Sequence, residues 1–323
     1  MVCPSRVLVL LVASVSMLPG VVRAQDLPPE RVGGVPSVVF KASVDVVTLT
    51  AAVRDQSGQV VRDLGRADFE VLDTGVARGI SDFHAGDAPI SLGVLLDISG
   101  SMAVGGNIDR ARSAVGVAMG MLSGADDEAA LYTFDATLQE AVAFTRNFDT
   151  VRRVSLDGEP WGTTSLYDAI GAAAKHVAER ANRHRALLVI TDGVDTVSRF
   201  SAAEISGVSS AIDVPVYVLT VVMPLDHRGG EPTVLEVDGV RSDVGTLADL
   251  SRWTGGDLKV ASVPEHIDGA IRTLLVELRY QYLITFESGA APGWHPLEVR
   301  THDNTLTVHA RSGYISGPSA SDR

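Results

Sequence analysis

The sequence predicts an α/β fold: a doubly wound, mostly parallel sheet with helices on both faces, inserted in a smaller β-sandwich-like domain. Three observations predict it. Continuous apolar runs at 90–96, 186–191 and 214–222 have the purity of strands buried on both faces. Segments with helical spacing alternate with those runs, as crossover helices between parallel strands do. Alternating Val- and Thr-rich segments without helices occupy both flanks. Each flank alone would leave an apolar face uncovered, so the economical solution is one β-domain made from both.

The elements follow in order. Arg6, an apolar run over 7–15 and the small-residue end Val22-Arg23-Ala24 predict a cleaved signal peptide at 1–24. That run is too short to span a bilayer. The Pro- and Gly-rich stretch 25–37 reads as a linker. The N-terminal part of the β-domain, 38–87, holds strand signals at 44–53, 69–72 and 80–83, with turn chemistry at Gln56-Ser57-Gly58 and Asp73-Thr74-Gly75 and one helical turn near 66–68. The α/β body covers 88–279. Its strands are expected at 90–96, 129–134, 186–191, 214–222 and 258–261. Its helices are expected at 108–122, 165–181, 202–211, 244–254 and 264–279. Gly255-Gly256 supplies a helix stop, and Pro264 fits a first helical turn. Asp238-Gly239, inside 233–241, predicts a surface hairpin. Strands at 280–287, 296–301 and 306–311, with a turn at Asp303-Asn304, complete the β-domain over 280–316, and 317–323 is a tail.

Composition narrows the function. A net charge of −13 without a dense Lys/Arg cluster argues against nucleic acid as a partner. The single cysteine, Cys3, precedes the apolar run and would leave with the signal peptide. The exported chain then has no disulfide and no thiolate-bound zinc, which suits a secreted or periplasmic protein. No segment after the signal has the length and purity of a transmembrane helix.

The chemistry is concentrated at strand ends. Asp97-Ile98-Ser99-Gly100-Ser101 begins where the first apolar strand stops, and open α/β sheets bind ligands beyond the carboxyl ends of their strands. Asp97, Ser99 and Ser101 are oxygen donors of the kind Mg²⁺ takes. Thr164 lies in a Gly-Thr-Thr-Ser loop before a helix, with Thr163 as the alternative register. Asp192 leaves a second buried strand at the same edge. Two facing carboxylates repel unless a cation lies between them. Asp168 and Asp195 nearby read as solvated or helix-start carboxylates, and the eight histidines show no metal-binding spacing.

This pattern resembles the metal-ion-dependent adhesion site (MIDAS) of von Willebrand factor type A (VWFA) domains, whose sheet is Rossmann-like. The flanks resemble a secreted bacterial branch of VWFA-related proteins. The resemblance implies a divalent cation, Mg²⁺ with Mn²⁺ or Ca²⁺ as alternatives, held by Asp97, Ser99, Ser101, Thr164 and Asp192. It implies an adhesion or scaffold module whose protein partner supplies an acidic side chain to the metal. Two other readings stand beside it: an envelope protein with a stabilising metal site, and a metal-dependent hydrolase. An enzyme is disfavoured because the chain lacks a nucleophile elbow, a Walker loop and a dinucleotide fingerprint.

Overall fold

The computed structural model describes residues 46–154, 158–223, 247–289 and 292–316. The predicted signal peptide, linker, 233–241 hairpin and tail lie outside the described residues. In chain order the strands are β1 (Val46–Arg54), β2 (Phe69–Asp73), β3 (Val76–Arg78), β4 (Ile80–His84), β5 (Ile90–Asp97), β6 (Glu128–Phe134), β7 (Leu138–Thr145), β8 (His184–Thr191), β9 (Val216–Val221), β10 (Leu258–Ala261), β11 (Tyr282–Glu287), β12 (Gly293–Thr301), β13 (Thr307–Ala310) and β14 (Gly313–Ser316). The helices are α1 (Asn107–Met121), α2 (Phe148–Arg153), α3 (Leu166–Ala178), α4 (Ala202–Ala211), α5 (Leu247–Thr254) and α6 (Pro264–Arg279).

The central sheet has the order β10-β9-β8-β5-β6-β7, parallel except for the antiparallel edge strand β7. Side chains alternate across it. Leu92, Val94 and Leu96 enter one core with α1 and α6, while Leu95 enters the other with α3, α4 and α5. Both faces are thus covered, which is why the strands read as unbroken apolar runs. At Gly93 an added Cβ would stand 2.5 Å from Cγ2 of Val177, so α3 packs directly on the β5 backbone. Helix α5 stops at Gly255, whose φ is +86°. There Gly255 N–H donates to the Arg252 carbonyl and Gly256 N–H to the Ser251 carbonyl, the two bonds of a glycine C-cap.

The terminal strands form two four-stranded antiparallel sheets, β13-β1-β11-β4 and β14-β12-β2-β3. Each sheet mixes strands from before and after the α/β body: β1 pairs with β11 and β13, and β12 pairs with β2. One core joins the sheets, with Leu49, Ala51, Ile284 and Phe286 facing Val71, Leu297 and Tyr314. Phe69 packs between Phe83 and Tyr282 at centroid distances of 5.6 and 5.0 Å. Sequence reasoning missed β3, β7, β14 and α2. These are short or exposed: β7 is an edge strand with no buried residue, and α2 buries only Val151.

Strands and body are joined by buried charge. Arg54 on β1 donates to both Glu277 on α6 and Asp257, and the Tyr217 hydroxyl donates to Glu277 Oε1 at 2.9 Å. Arg311 reaches the Ser210 carbonyl at 2.8 Å and the Thr48 carbonyl at 2.7 Å. If the two flanks stabilise each other, deleting everything after Glu287 strips β13 from β1 and β12 from β2. The expected result is faster amide exchange in β1 and β2 than in β5 and β8, and unchanged protection of β1 would contradict it.

Two buried carboxylates contribute to acid sensitivity. Burial alone would raise both, but Arg279 and the Ile90 and Gly124 amides hold Asp127 below the usual range, and His295 and the Gly289 amide do the same for Asp73. Their folded pKa values lie below the unfolded ones, so acid protonates the unfolded chain first. This stability is present above about pH 4 and is lost as the pH falls below it. Thermal melts should show the transition dropping steeply below about pH 4; a flat profile there would contradict the assignment.

Candidate metal centre

The order of the central sheet reverses beside β5. The chain leaves β5 for β6 on one side and returns through α3 to β8 on the other. The crevice at the carboxyl ends of β5 and β8 is therefore the topological switch point. Asp97 is the last residue of β5, and Asp192 follows the last residue of β8.

Three loops meet there through backbone bonds. Gly100 N–H donates to the Gly162 carbonyl at 3.1 Å, and Trp161 N–H donates to the Ile98 carbonyl at 3.1 Å. These bonds fasten the Asp97–Ser101 loop to the loop that carries Thr164. The amides of Thr196 and Val197 donate to the Thr164 carbonyl at 2.9 and 3.1 Å, and Thr164 N–H donates to Thr196 Oγ1 at 2.8 Å. The loop after Asp192 is thereby fastened to the same segment. An added Cβ at Gly100 would meet the Gly162 carbonyl at 3.3 Å, so the first two loops lie nearly in contact.

The structure brings the predicted residues to this one edge. Asp97, Ser99 and Thr164 are buried, Ser101 and Asp192 are half-buried, and Thr163 is exposed. The Ser99 and Ser101 hydroxyl oxygens are 3.2 Å apart, with Ser99 extended and Ser101 inside the 3₁₀ turn that follows it. Asp97 accepts from the Ser99 amide at 2.9 Å and from Thr191 Oγ1 at 2.6 Å. Burial pushes its carboxyl up to about 6, against the lowering effect of those hydrogen bonds, and the charge of Asp192 raises it further.

Helix capping does not explain these side chains. Ser99 precedes a 3₁₀ turn at Gly100–Gly106 and makes no side-chain cap bond. Ser165, not Thr164, is the N-cap of α3, and it too makes no side-chain cap bond. The first amides of α3 are satisfied from the third loop: Leu166 N–H by Asp195 Oδ1 at 2.8 Å and Tyr167 N–H by Ser198 Oγ at 3.0 Å. Asp195 is therefore a helix-start carboxylate, and Asp168 accepts from the Arg199 and Phe200 amides. Replacing Asp195 with alanine should cost about 0.5–2 kcal/mol, the usual loss for a cap. A thermal melt would register it, and an unchanged transition would show that water replaces the cap.

Sequence reasoning missed the supporting hydroxyls Thr191, Thr196 and Ser198. The only available signal was their density next to Asp192 and Asp195. Among the described residues no group of three or more His, Cys, Asp and Glu side chains is placed to hold a metal ion. The donors gathered here are of another kind: two carboxylates and three hydroxyls, all hard oxygen. This set fits Mg²⁺, Mn²⁺ or Ca²⁺ better than a soft metal.

Residues 92–194 match the profile of the von Willebrand factor type A domain, a segment that contains all five residues. No curated protein sequence matches the chain. Among solved structures, the chain is similar to a von Willebrand factor type A protein from Catenulispora acidiphila, with 11% identity over 85% of this chain and 75% of the other and a TM-score of 0.45. It is also similar to an aerotolerance-related membrane protein from Bacteroides fragilis (19% identity, 58% and 98% covered, TM-score 0.44). A third is the manganese-loaded TRAP protein of Plasmodium vivax (16% identity, 72% and 96% covered, TM-score 0.41). Within residues 92–194, which supply most of β5 and all of β6, β7 and β8, this chain carries a von Willebrand factor type A domain.

Proposed function

We propose that this chain is a divalent-metal-dependent protein-binding module, an adhesion or scaffold unit rather than an enzyme. The observation that carries the reading is the meeting of Asp97 and Asp192 with Ser99, Ser101 and Thr164 on three cross-bonded loops at the switch point. Asp97 and Asp192 supply the charge for the cation, and the three hydroxyls supply neutral oxygens. A position left open at such a cation accepts a carboxylate from a protein partner. In this reading the described residues within 88–279 form the binding body, and those within 38–87 and 280–316 form the sandwich that carries it. The signal-like start at 1–24 supports a secreted or periplasmic location. Among the described residues no helix is long and apolar enough to cross a membrane.

Titration calorimetry tests the reading. Mg²⁺ or Mn²⁺ added to the chelated protein should bind at one site, and a chelator should release a partner captured from the native envelope. Absence of a binding isotherm for either ion, and for Ca²⁺, would refute it. Retained partner binding together with a large loss of stability on chelation would favour the structural-metal alternative.

A further inference from the structure

The three loops carry something that the metal reading does not use. Val104, Trp161, Val197 and Phe200 are 56%, 84%, 45% and 47% exposed. They make up four of the nine exposed large hydrophobic side chains among the described residues. The loops that bear them are otherwise well anchored. Trp161 N–H is bonded to the Ile98 carbonyl, Val197 N–H to the Thr164 carbonyl, and Phe200 N–H to Asp168 Oδ1 at 3.1 Å. The backbones of Trp161, Val197 and Phe200 are thus tied to the site or to the start of α3 while their side chains face water.

Single exposed apolar residues need no explanation, but several of them on the loops that build one polar site do. Fixed aromatics lose little conformational entropy on contact, and Trp is the residue type most enriched among binding hot spots. The polar site that these loops carry is acidic, with Asp97 and Asp192. Without a cation it would repel a carboxylate, and with one it would draw it in. The same partner must therefore present charge at the centre and apolar surface around it.

We infer that Trp161 and Phe200, with Val104 and Val197, form an apolar rim that selects partner segments in which an acidic side chain is flanked by aromatic or large aliphatic residues. The inference rests on the metal-dependent reading for its central carboxylate, whereas the rim rests on exposure and anchoring alone.

Peptide selection separates the two. The full chain, Trp161→Ser and Phe200→Ser are used as baits for two phage-displayed libraries of short peptides, one with a fixed central Glu and one with a fixed central Gln, in Mg²⁺ and in chelator. The wild-type chain should enrich Glu peptides with aromatic or large aliphatic neighbours in Mg²⁺. The selected peptides should bind Trp161→Ser about 30-fold or more weakly, the loss of a hot spot of about 2 kcal/mol. Metal affinity and melting temperature of Trp161→Ser should stay unchanged, because the indole contributes to neither. Enrichment of Glu peptides without apolar neighbours, the same neighbours chosen by both variants, or no enrichment from either library would overturn the rim. Equal enrichment of apolar peptides from the Gln library and in chelator, lost in Trp161→Ser, would overturn the metal reading and leave the rim standing.

Discussion

Asp97→Asn is expected to lower Mg²⁺ and Mn²⁺ affinity by at least about 100-fold, beyond the 10–100-fold typical of a lost supporting partner. The variant removes one of the two charges offered to the cation while preserving side-chain volume. Asparagine is the better test than alanine. Asp97 is buried and accepts from the Ser99 amide and the Thr191 hydroxyl. Alanine would strand both donors, at about 1–3 kcal/mol each. The amide oxygen of asparagine keeps one of them satisfied. In the metal-free state the melting temperature of Asp97→Asn should be no lower than wild type, because burial already disfavours the Asp97 charge. Calorimetry on both proteins, with melts in chelator, checks both statements. Equal metal affinity would mean that the Asp-x-Ser-x-Ser segment only shapes the loop.

Glu277→Ala should be the most destabilising of the substitutions considered, by about 3–5 kcal/mol. Glu277 is fully buried and accepts from Arg54 and from the Tyr217 hydroxyl. Its removal leaves the mostly buried Arg54 guanidinium with only the partly exposed Asp257. Burial would lower Arg54, and the Glu277 and Asp257 carboxylates outweigh it, so that half of this balance disappears with the substitution. At about 2–4 °C per kcal/mol for a domain of this size, the transition should fall by roughly 6–20 °C. The double variant Arg54→Met, Glu277→Leu should recover much of the loss, since an apolar pair of similar volume removes the uncompensated Arg54 charge and leaves only the Tyr217 hydroxyl without its acceptor. A double variant as unstable as Glu277→Ala would locate the cost in Tyr217 or in packing instead.

Much of the fold was legible because burial on both faces leaves an unambiguous mark. The runs at 90–96 and 186–191 emerged as β5 and β8 within two residues of their ends. Helix α6 begins at Pro264 and ends at Arg279, as its proline start and apolar spacing indicate. Edge elements left no such mark. In β7 the sequence Leu-Gln-Glu-Ala-Val-Ala-Phe-Thr pairs on one side only, so its polar residues are free to face water in any order. The five candidate ligands could be named because Asp97-x-Ser-x-Ser and Asp192 leave two buried strands and Thr164 precedes a helix, in an order that resembles a known family's site. The lacing among their loops could not, because it runs through backbone groups, which every residue carries. The ion cluster at Arg54, Asp257 and Glu277 was equally hidden, since it joins residues 223 positions apart.

The α/β body enters and leaves the sandwich at one place. β4 ends at His84 and β5 begins at Ile90, while α6 ends at Arg279 and β11 begins at Tyr282. The Ala88 amide bonds to the Arg279 carbonyl across this junction. The candidate centre lies at the opposite ends of the same strands, an eight-residue strand away, or roughly 26 Å. A pull between a held partner and an anchored sandwich would therefore run lengthwise along β5. Its parallel neighbours β6 and β8 would resist by shearing many hydrogen bonds together rather than opening them one by one.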